Sequence, residues 1–164
     1  MSSTTKKRQS STGLKDASKA LDAGDFFQAE ALADQALETA RAALDFKSMS
    51  DILPILRDAR SLRFQEALAV SDEIRHMEAP FEEGDSVEPG CILVQPPFVG
   101  ADARAMNIAA LEQRVPVAIV CREPLTEMKL RPIVAIGRIT VRTKVLRAAD
   151  DANPDMDWFV SALY

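Results

Sequence analysis

Residues 91–121 form a complete strand–helix–strand pattern, and this pattern constrains the fold more than any other part of the sequence. An apolar run at 91–94 is followed by a turn containing Gly100, a helix-favouring run at 103–113 and a second apolar run at 115–121. Apolar runs without alternation are typical of strands buried on both faces, as parallel strands joined by a crossover helix are. The sequence therefore predicts a small α/β domain.

The segment that follows this unit predicts further β-structure. Gly137 divides residues 132–145, and it predicts either a bulge within one long strand or a bend between two strands. From residue 138 onward, apolar and polar side chains alternate, as in a strand with one exposed face. We therefore predict an edge strand whose exposed row consists of Arg138, Thr140, Arg142 and Lys144.

Helical periodicity dominates residues 14–76. A short helix at 15–23 precedes a longer one at 26–46, whose apolar stripe is mostly alanine. A third helix, with Pro54 in its first turn, is predicted to end near His76. Small side chains allow close approach, so we expect a tightly packed helical hairpin.

The run Gly24-Asp25-Phe26-Phe27-Gln28-Ala29, followed by Ala33 and Ala36-Leu37, resembles the turn and second helix of a tetratricopeptide repeat. In that family a glycine ends the first helix, and an aromatic residue and an alanine open the second. The resemblance covers residues 14–46. Gly13 stands where the family has a larger aromatic side chain, and the proline expected after the second helix is absent. The resemblance implies a helical module that contacts other proteins.

The remaining segments predict a tail, a linker and a final helix. Residues 1–13 are Ser, Thr and basic residues without an apolar anchor, which predicts a flexible tail. Residues 77–90 are acidic and rich in Pro and Gly, so we place the domain boundary in this linker. Within residues 150–164, Asn153 and Pro154 predict the start of a helix that packs on the body of the protein.

Together these segments predict an α+β chain, with a helical module at 14–76 followed by a small α/β domain (βαβ-β) at 91–149 and a C-terminal helix. The 164 residues, of which 47% are hydrophobic, suffice for one ordinary domain or two small ones. The α/β segment has nine basic and four acidic residues, a net charge of +5 in a chain of net charge −5. We therefore expect its partner to be anionic, either a small ligand or the acidic segments of the chain itself. Because the sequence ends at Tyr164 inside an apolar helical pattern, it leaves open whether the chain is a fragment.

Candidate ligand-binding residues lie where the two predicted parallel strands end. The turn with Pro97, Gly100 and Asp102 opens onto a helix N-terminus, and ligands of open α/β sheets bind at this edge. One glycine makes neither a dinucleotide fingerprint nor a phosphate loop, and a purely structural turn with Asp102 as N-cap is the alternative. At the next strand end, Arg122 can bind a carboxylate or phosphate and Glu123 can act as a base. Alternatively, Arg122 pairs with Asp102 or Glu123 to complete the sheet edge.

Several classes of function find no support in the sequence. Cys91 and Cys121 have neither zinc nor redox spacing and are interpreted as small buried side chains. His76 has no nucleophile or ligand cluster nearby, so we predict no catalytic residue, metal or cofactor. The N-terminus lacks the apolar core of a signal peptide, and no apolar run is long enough for a membrane span, so we expect a cytoplasmic protein without membrane contact.

The leading hypothesis is a non-enzymatic interaction or assembly module that binds another protein or a second copy of itself. About three helices are too few to bury a continuous repeat face alone. The alternative is a small α/β domain that binds an anionic small ligand at the carboxyl edge of its parallel strands. The basic row of the edge strand is solvated or paired within the chain, or it binds an acidic protein; nucleic acid is disfavoured because no aromatic residues interleave with the cations.

Overall fold

A computed structural model describes residues 3–125, 130–135 and 141–164 of the chain. Its internal contacts divide it into two compact units, Met1–Arg63 and Phe64–Tyr164. The described residues contain five helices and one five-stranded mixed sheet, which confirms the predicted α+β class.

Three helices precede the five described strands, a fourth lies between the second and third strands, and a fifth follows the last strand. The helices are α1 (Ser3–Asp22), α2 (Phe26–Ala42), α3 (Phe46–Ala69), α4 (Gly100–Gln113) and α5 (Met156–Leu163). The strands are β1 (Ile74–His76), β2 (Gly90–Val94), β3 (Val117–Arg122), β4 (Leu130–Ala135) and β5 (Val141–Leu146). The boundary between the two units falls inside α3.

The N-terminal unit is a succession of helices joined by two similar turns. Gly24 (φ 77°) and Leu44 (φ 53°) both adopt the left-handed conformation that ends a helix. An aspartate follows each of them and caps the next helix: Asp25 accepts a hydrogen bond from the Gln28 amide (3.0 Å), and Asp45 accepts one from the Ser48 amide (3.1 Å). The predicted alanine stripe is confirmed, since Ala29, Ala33, Ala36 and Ala40 are buried.

Gly13 lies at a close approach of α1 to α2. A Cβ atom added at Gly13 would lie 3.0 Å from the Cβ of Ala36, a distance shorter than an ordinary van der Waals contact. The large aromatic side chain found here in tetratricopeptide repeats would not fit without moving α1 away from α2. The glycine is therefore part of the tight packing that the alanine stripe predicts.

Two helix starts in this unit differ from the prediction. α1 begins at Ser3, inside the range 1–13 that we predicted to be a flexible tail. The Lys, Arg and Gln residues of this segment are good helix formers, and extending an existing helix costs far less than starting one. α3 begins at Phe46 because Asp45 caps it, so Pro54 lies inside the helix rather than in its first turn. Pro54 is exposed there.

The C-terminal unit is built on a sheet with the order β1-β2-β3-β4-β5. β1, β2 and β3 are parallel, and the crossover from β2 to β3 through α4 confirms the predicted strand–helix–strand unit. β4 pairs antiparallel with β3 and with β5, which makes β5 an edge strand as predicted. Gly137 lies outside the described residues, between two separate strands.

The sequence predicts that Ile74–His76 is the end of the third helix, but these residues form β1. The chain turns at Ser71, whose hydroxyl accepts a hydrogen bond from the Glu73 amide (3.1 Å) and donates one to the Glu73 carbonyl (3.0 Å). Such local side-chain bonds compete with the helical pattern. The predicted linker at 77–90 belongs to the C-terminal unit, because Met77 and Val87 are buried in its core.

Side chains of β2 and β3 alternate between two apolar cores, one on each face of the sheet. On face A, Ile92 and Val94 pack with α4 and with residues of the 77–87 segment. On face B, Cys91 and Leu93 pack with the last turns of α3 and with α5. Both faces are covered, which is why these strands lack a polar alternation.

The final helix starts two residues later than predicted. Asp155, and not Asn153, is the N-cap, because its carboxylate accepts a hydrogen bond from the Trp158 amide at 2.8 Å. Asn153 is held instead by Asp150, which accepts from its backbone amide at 3.2 Å. Phe159 is fully buried on face B, so the predicted packing of this helix on the body is confirmed. Among the described helices, none combines the length and apolar character needed to cross a membrane.

Candidate ligand site at the carboxyl edge of the sheet

A cavity of about 630 Å³ lies where β2 and β3 end and α4 begins. Three of the five predicted site residues, Gly100, Arg122 and Glu123, line it, whereas Pro97 and Asp102 do not. The other lining residues come from the turn, α4, β3, the residue after Glu123, β4 and β5: Pro96, Phe98, Val99, Ala101, Arg104, Cys121, Pro124, Pro132, Val134 and Arg142.

The turn that forms one wall of the cavity is fixed by its own hydrogen bonds. The Phe98 amide donates to the Gln95 carbonyl (3.0 Å), and the peptide bond between Pro96 and Pro97 is cis. Asp102 is the third residue of α4 and not its N-cap as predicted. Its carboxylate accepts from the Val99 amide at 2.8 Å, which ties the turn to the helix. Asp102 therefore has the structural role that the sequence left as an alternative.

Three arginines line the cavity, but the guanidinium of Arg122 lies on face B, so the charge of the cavity comes from two arginines and one glutamate. Arg142 of β5 donates from Nε to Oε1 of Glu123 at 2.8 Å, and this hydrogen bond raises the pKa of the guanidinium. Arg104 is exposed on α4, and the described residues give it no ion-pair partner. The cavity therefore carries two cations and one anion beside the N-terminus of α4, whose dipole also favours negative charge.

The alternative pairing of Arg122 with Asp102 or Glu123 is not found, because its guanidinium contacts Gln95, Asp151 and Trp158 instead. Arg122 alternates with Cys121 along β3, so its side chain lies on face B. There Nε donates to Oε1 of Gln95 at 2.8 Å, and the guanidinium carbon is 5.9 Å from the centre of the Trp158 ring. Arg122 is buried, and this burial, together with the nearby charge of Arg131, lowers its pKa.

An ion cluster, formed by the buried Arg122 and Arg131, the largely buried Asp151 and the exposed Arg147, lies beside the cavity and was not predicted. Asp151 binds Arg131 directly, and its oxygens are 3.8 Å from Nη1 of Arg122 and 3.4 Å from Nε of Arg147. Three buried atoms of this cluster have no hydrogen-bond partner: Nη1 of Arg122, Nε of Arg131 and Oδ1 of Asp151. The signal in the sequence is an arginine in each of two apolar strands, Arg122 at the end of β3 and Arg131 within β4. The aspartate that pairs with Arg131 lies 20 residues further along the chain.

The two cysteines are small buried side chains, as predicted. Both cysteines are free and buried. Nδ1 of His76 lies 3.2 Å from the Gln95 amide nitrogen, so it supports the residue that holds Arg122. His76 lies in β1, not in a helix as predicted. The part of the chain that the structure describes contains no group of three or more side chains suited to bind a metal.

The predicted basic row of the edge strand is only partly described. Arg138 and Thr140 lie outside the described residues. Arg142 and Lys144 are exposed on β5, and only Arg142 lines the cavity. Lys144 pairs with Pro132 across the β4–β5 ladder.

Comparison of the chain with protein-family models, with curated proteins and with solved structures finds no match. The function must therefore be inferred from the geometry of these sites.

We expect Asp151→Asn to lower the free energy of unfolding by about 3 kcal/mol, because it leaves two buried guanidinium groups without their shared counterion. Urea unfolding of the whole chain measures the change. Asp157→Asn, at an exposed position of α5, is the matched control and should change stability by less than about 0.5 kcal/mol. Equal effects of the two substitutions would contradict a stabilising role for the cluster.

We expect the Cys121 thiol to stay protonated and unreactive towards a disulfide reagent at pH 8. Burial, and secondly Glu123 and Asp102, raise its pKa from 9.0 to about 11. A raised pKa in the folded state stabilises the fold below pH 9, and this stabilisation is lost as the pH rises towards about 11.

The pH effect is measured as the difference between the wild-type chain and Cys121→Ala. The free energy of unfolding should fall more steeply between pH 9 and 11 in the wild type, because both proteins share all other titrating groups. Parallel curves for the two proteins would refute the assignment.

Proposed function

We propose that the C-terminal unit binds a small organic anion in the cavity at the carboxyl edge of its sheet. The observation that supports this most directly is the convergence of Arg104, Arg142 and the start of α4 at Gly100 on one concave surface. Arg104 and Gly100 belong to α4 and Arg142 to β5, and each of the three favours negative charge. Carboxyl edges of open α/β sheets are also the usual place for ligands.

The walls of the cavity indicate the class of ligand. Phe98, Val99, Pro124 and Val134 offer apolar surface, while the cations lie on α4 and β5. A carboxylate or phosphate on an apolar or aromatic body fits this distribution better than a fully polar ion. Glu123 already neutralises part of Arg142, so a ligand with a single anionic group is favoured over a polyanion.

We expect phenyl phosphate or benzoate to raise the thermal midpoint of the whole chain, and the neutral analogue benzamide to leave it unchanged. A ligand at 100 times its Kd adds about 2.7 kcal/mol, or roughly 5–11 °C for a chain of this size. Arg104→Gln removes a cation of the cavity and should abolish the shift.

Lys144→Gln is the control for this experiment, because Lys144 is an exposed cation of the same sheet that does not line the cavity. It should retain the full shift. A response to benzamide equal to that of benzoate, or a shift that survives Arg104→Gln, would refute an anion site in the cavity.

As a second candidate function, we propose that the N-terminal unit mediates association with a second copy of the chain. Leu44 is 73% exposed and Phe46 is 72% exposed, at the turn between α2 and α3, and Leu53 is also exposed two helical turns further along α3. Leu44 also holds a left-handed conformation that costs a leucine about 1 kcal/mol. A strained and exposed leucine is more readily explained by a contact than by the fold of the isolated unit. The resemblance to tetratricopeptide repeats points the same way.

We expect Leu44→Gly to raise the stability of the monomer by about 0.5–1 kcal/mol while weakening association, because glycine relieves the strain and removes the contact. Urea unfolding measures the first effect and sedimentation equilibrium the second. Ala43→Gly, where φ is −94°, is the control and should destabilise the chain. A monomeric wild type, or unchanged association of Leu44→Gly, would contradict this function.

A further inference from the structure

β5 is the last strand of the sheet and pairs on only one side. All six of its residue pairs are with β4, and in the sheet order of the described residues no strand follows it. Five of its six residues are exposed, and Val145 is partly buried on face B. An edge of this kind is a template on which another strand can pair.

The orientation of the backbone groups of β5 follows from Pro132. The Pro132 carbonyl accepts a hydrogen bond from the Glu123 amide at 2.9 Å, so it points towards β3 and away from β5. Pro132 and Lys144 are therefore a non-hydrogen-bonded pair of the antiparallel ladder. Because such pairs alternate with hydrogen-bonded ones, the N–H and C=O groups of Arg142 and Lys144 point outward from the sheet.

The carbonyl of Leu146 supports this orientation. It lies two residues beyond Lys144 and should also point away from β4. It accepts a hydrogen bond from the indole nitrogen of Trp158 at 2.8 Å, as expected of a carbonyl that points away from β4. This bond also closes that end of the edge, so the open part of β5 is centred on Arg142 and Lys144.

The side chains along this open edge are basic. Arg142 and Lys144 share face A, since they pair with Val134 and Pro132. The Arg142 side chain is 68% exposed in spite of its bond to Glu123, and the described residues give Lys144 no ion-pair partner. The opposite face of the edge carries the exposed Val141 and Thr143.

From this geometry we infer that β5 binds an extended acidic segment of another protein, which adds to the sheet as a sixth strand. The outward backbone groups of Arg142 and Lys144 supply the ladder, and the two cations select acidic residues at alternate positions of the incoming strand. Apolar residues at the positions between them would pack near Val141. This site shares Arg142 with the cavity, but its ladder uses the backbone of β5, so it does not depend on the proposed ligand.

The same charges argue against a second copy of β5 as the occupant. Two copies paired along this edge would bring the Arg142 and Lys144 side chains of both onto adjoining strands, where like charges repel. Basic residues on an edge strand protect it from strands of its own kind. The charges that repel a basic strand attract an acidic one. These charges therefore determine which kind of strand can pair with β5.

The test measures binding of a fluorescent peptide in which Glu and Val alternate over six residues, by polarisation with the whole chain. We expect saturable binding that weakens as salt is added. A peptide with Lys in place of Glu, and one in which three Glu precede three Val, should bind at least roughly tenfold more weakly. Equal binding of the alternating and the block peptides would refute strand pairing.

Two substitutions at Lys144 distinguish the contribution of the backbone ladder to peptide binding from the contribution of the charge. Lys144→Gln removes only the charge and should weaken the peptide roughly fivefold. Lys144→Pro also removes the outward N–H group without breaking the β4–β5 ladder, and edge strands tolerate proline at such positions. It should abolish binding while the thermal midpoint shows that the chain still folds.

If Lys144→Pro unfolds the chain, Lys144→Glu provides the same test through charge reversal and should abolish binding of the Glu peptide. Arg104→Gln, which alters the cavity and not the edge, should leave peptide binding unchanged. Binding that survives both Lys144→Gln and Lys144→Glu, or that is lost in Arg104→Gln, would overturn the inference.

Discussion

The carboxyl edge of the sheet depends on one buried carboxylate. Asp151 lies between the guanidinium groups of Arg122 on β3 and Arg131 on β4. Only two residue pairs join β3 to β4, compared with six between β4 and β5, so the backbone ladder alone is a weak connection at this point. The ion cluster strengthens it from face B, while Cys121 and Val134 pack together on face A. Since the cavity is lined by residues on both sides of this junction, its shape depends on the cluster.

The local spacing of apolar residues was enough to predict the elements that one stretch of sequence specifies by itself. The apolar runs of β2 and β3 and the alanine stripe of α2 are explained by burial on two faces and by close helix packing. β1 was missed because its three residues form a strand only when β2 lies beside them. The direction of the Arg122 side chain was missed for a similar reason. It follows from alternation along β3 and from Asp151, which lies 29 residues further along the chain.

The two proposed binding surfaces of the C-terminal unit share Arg142 but differ in their second cation. Arg104 belongs to the cavity and Lys144 to the outer edge of β5. A carboxylate in the cavity competes with Glu123 for the Arg142 side chain, whereas an added strand uses the backbone of β5. The positive charge of this segment, predicted from composition alone, is therefore divided between two surfaces with different geometry.

A titration of the ¹⁵N-labelled whole chain with phenyl phosphate, followed by amide NMR spectra, tests the central proposal of an anion site most directly. The expected result is a saturating change in the amide resonances of Gly100, Ala101 and Glu123, with none at Gly24 in the N-terminal unit. The shifts should follow a single dissociation constant. Shifts that do not saturate, or that appear only away from the cavity, would contradict the proposal.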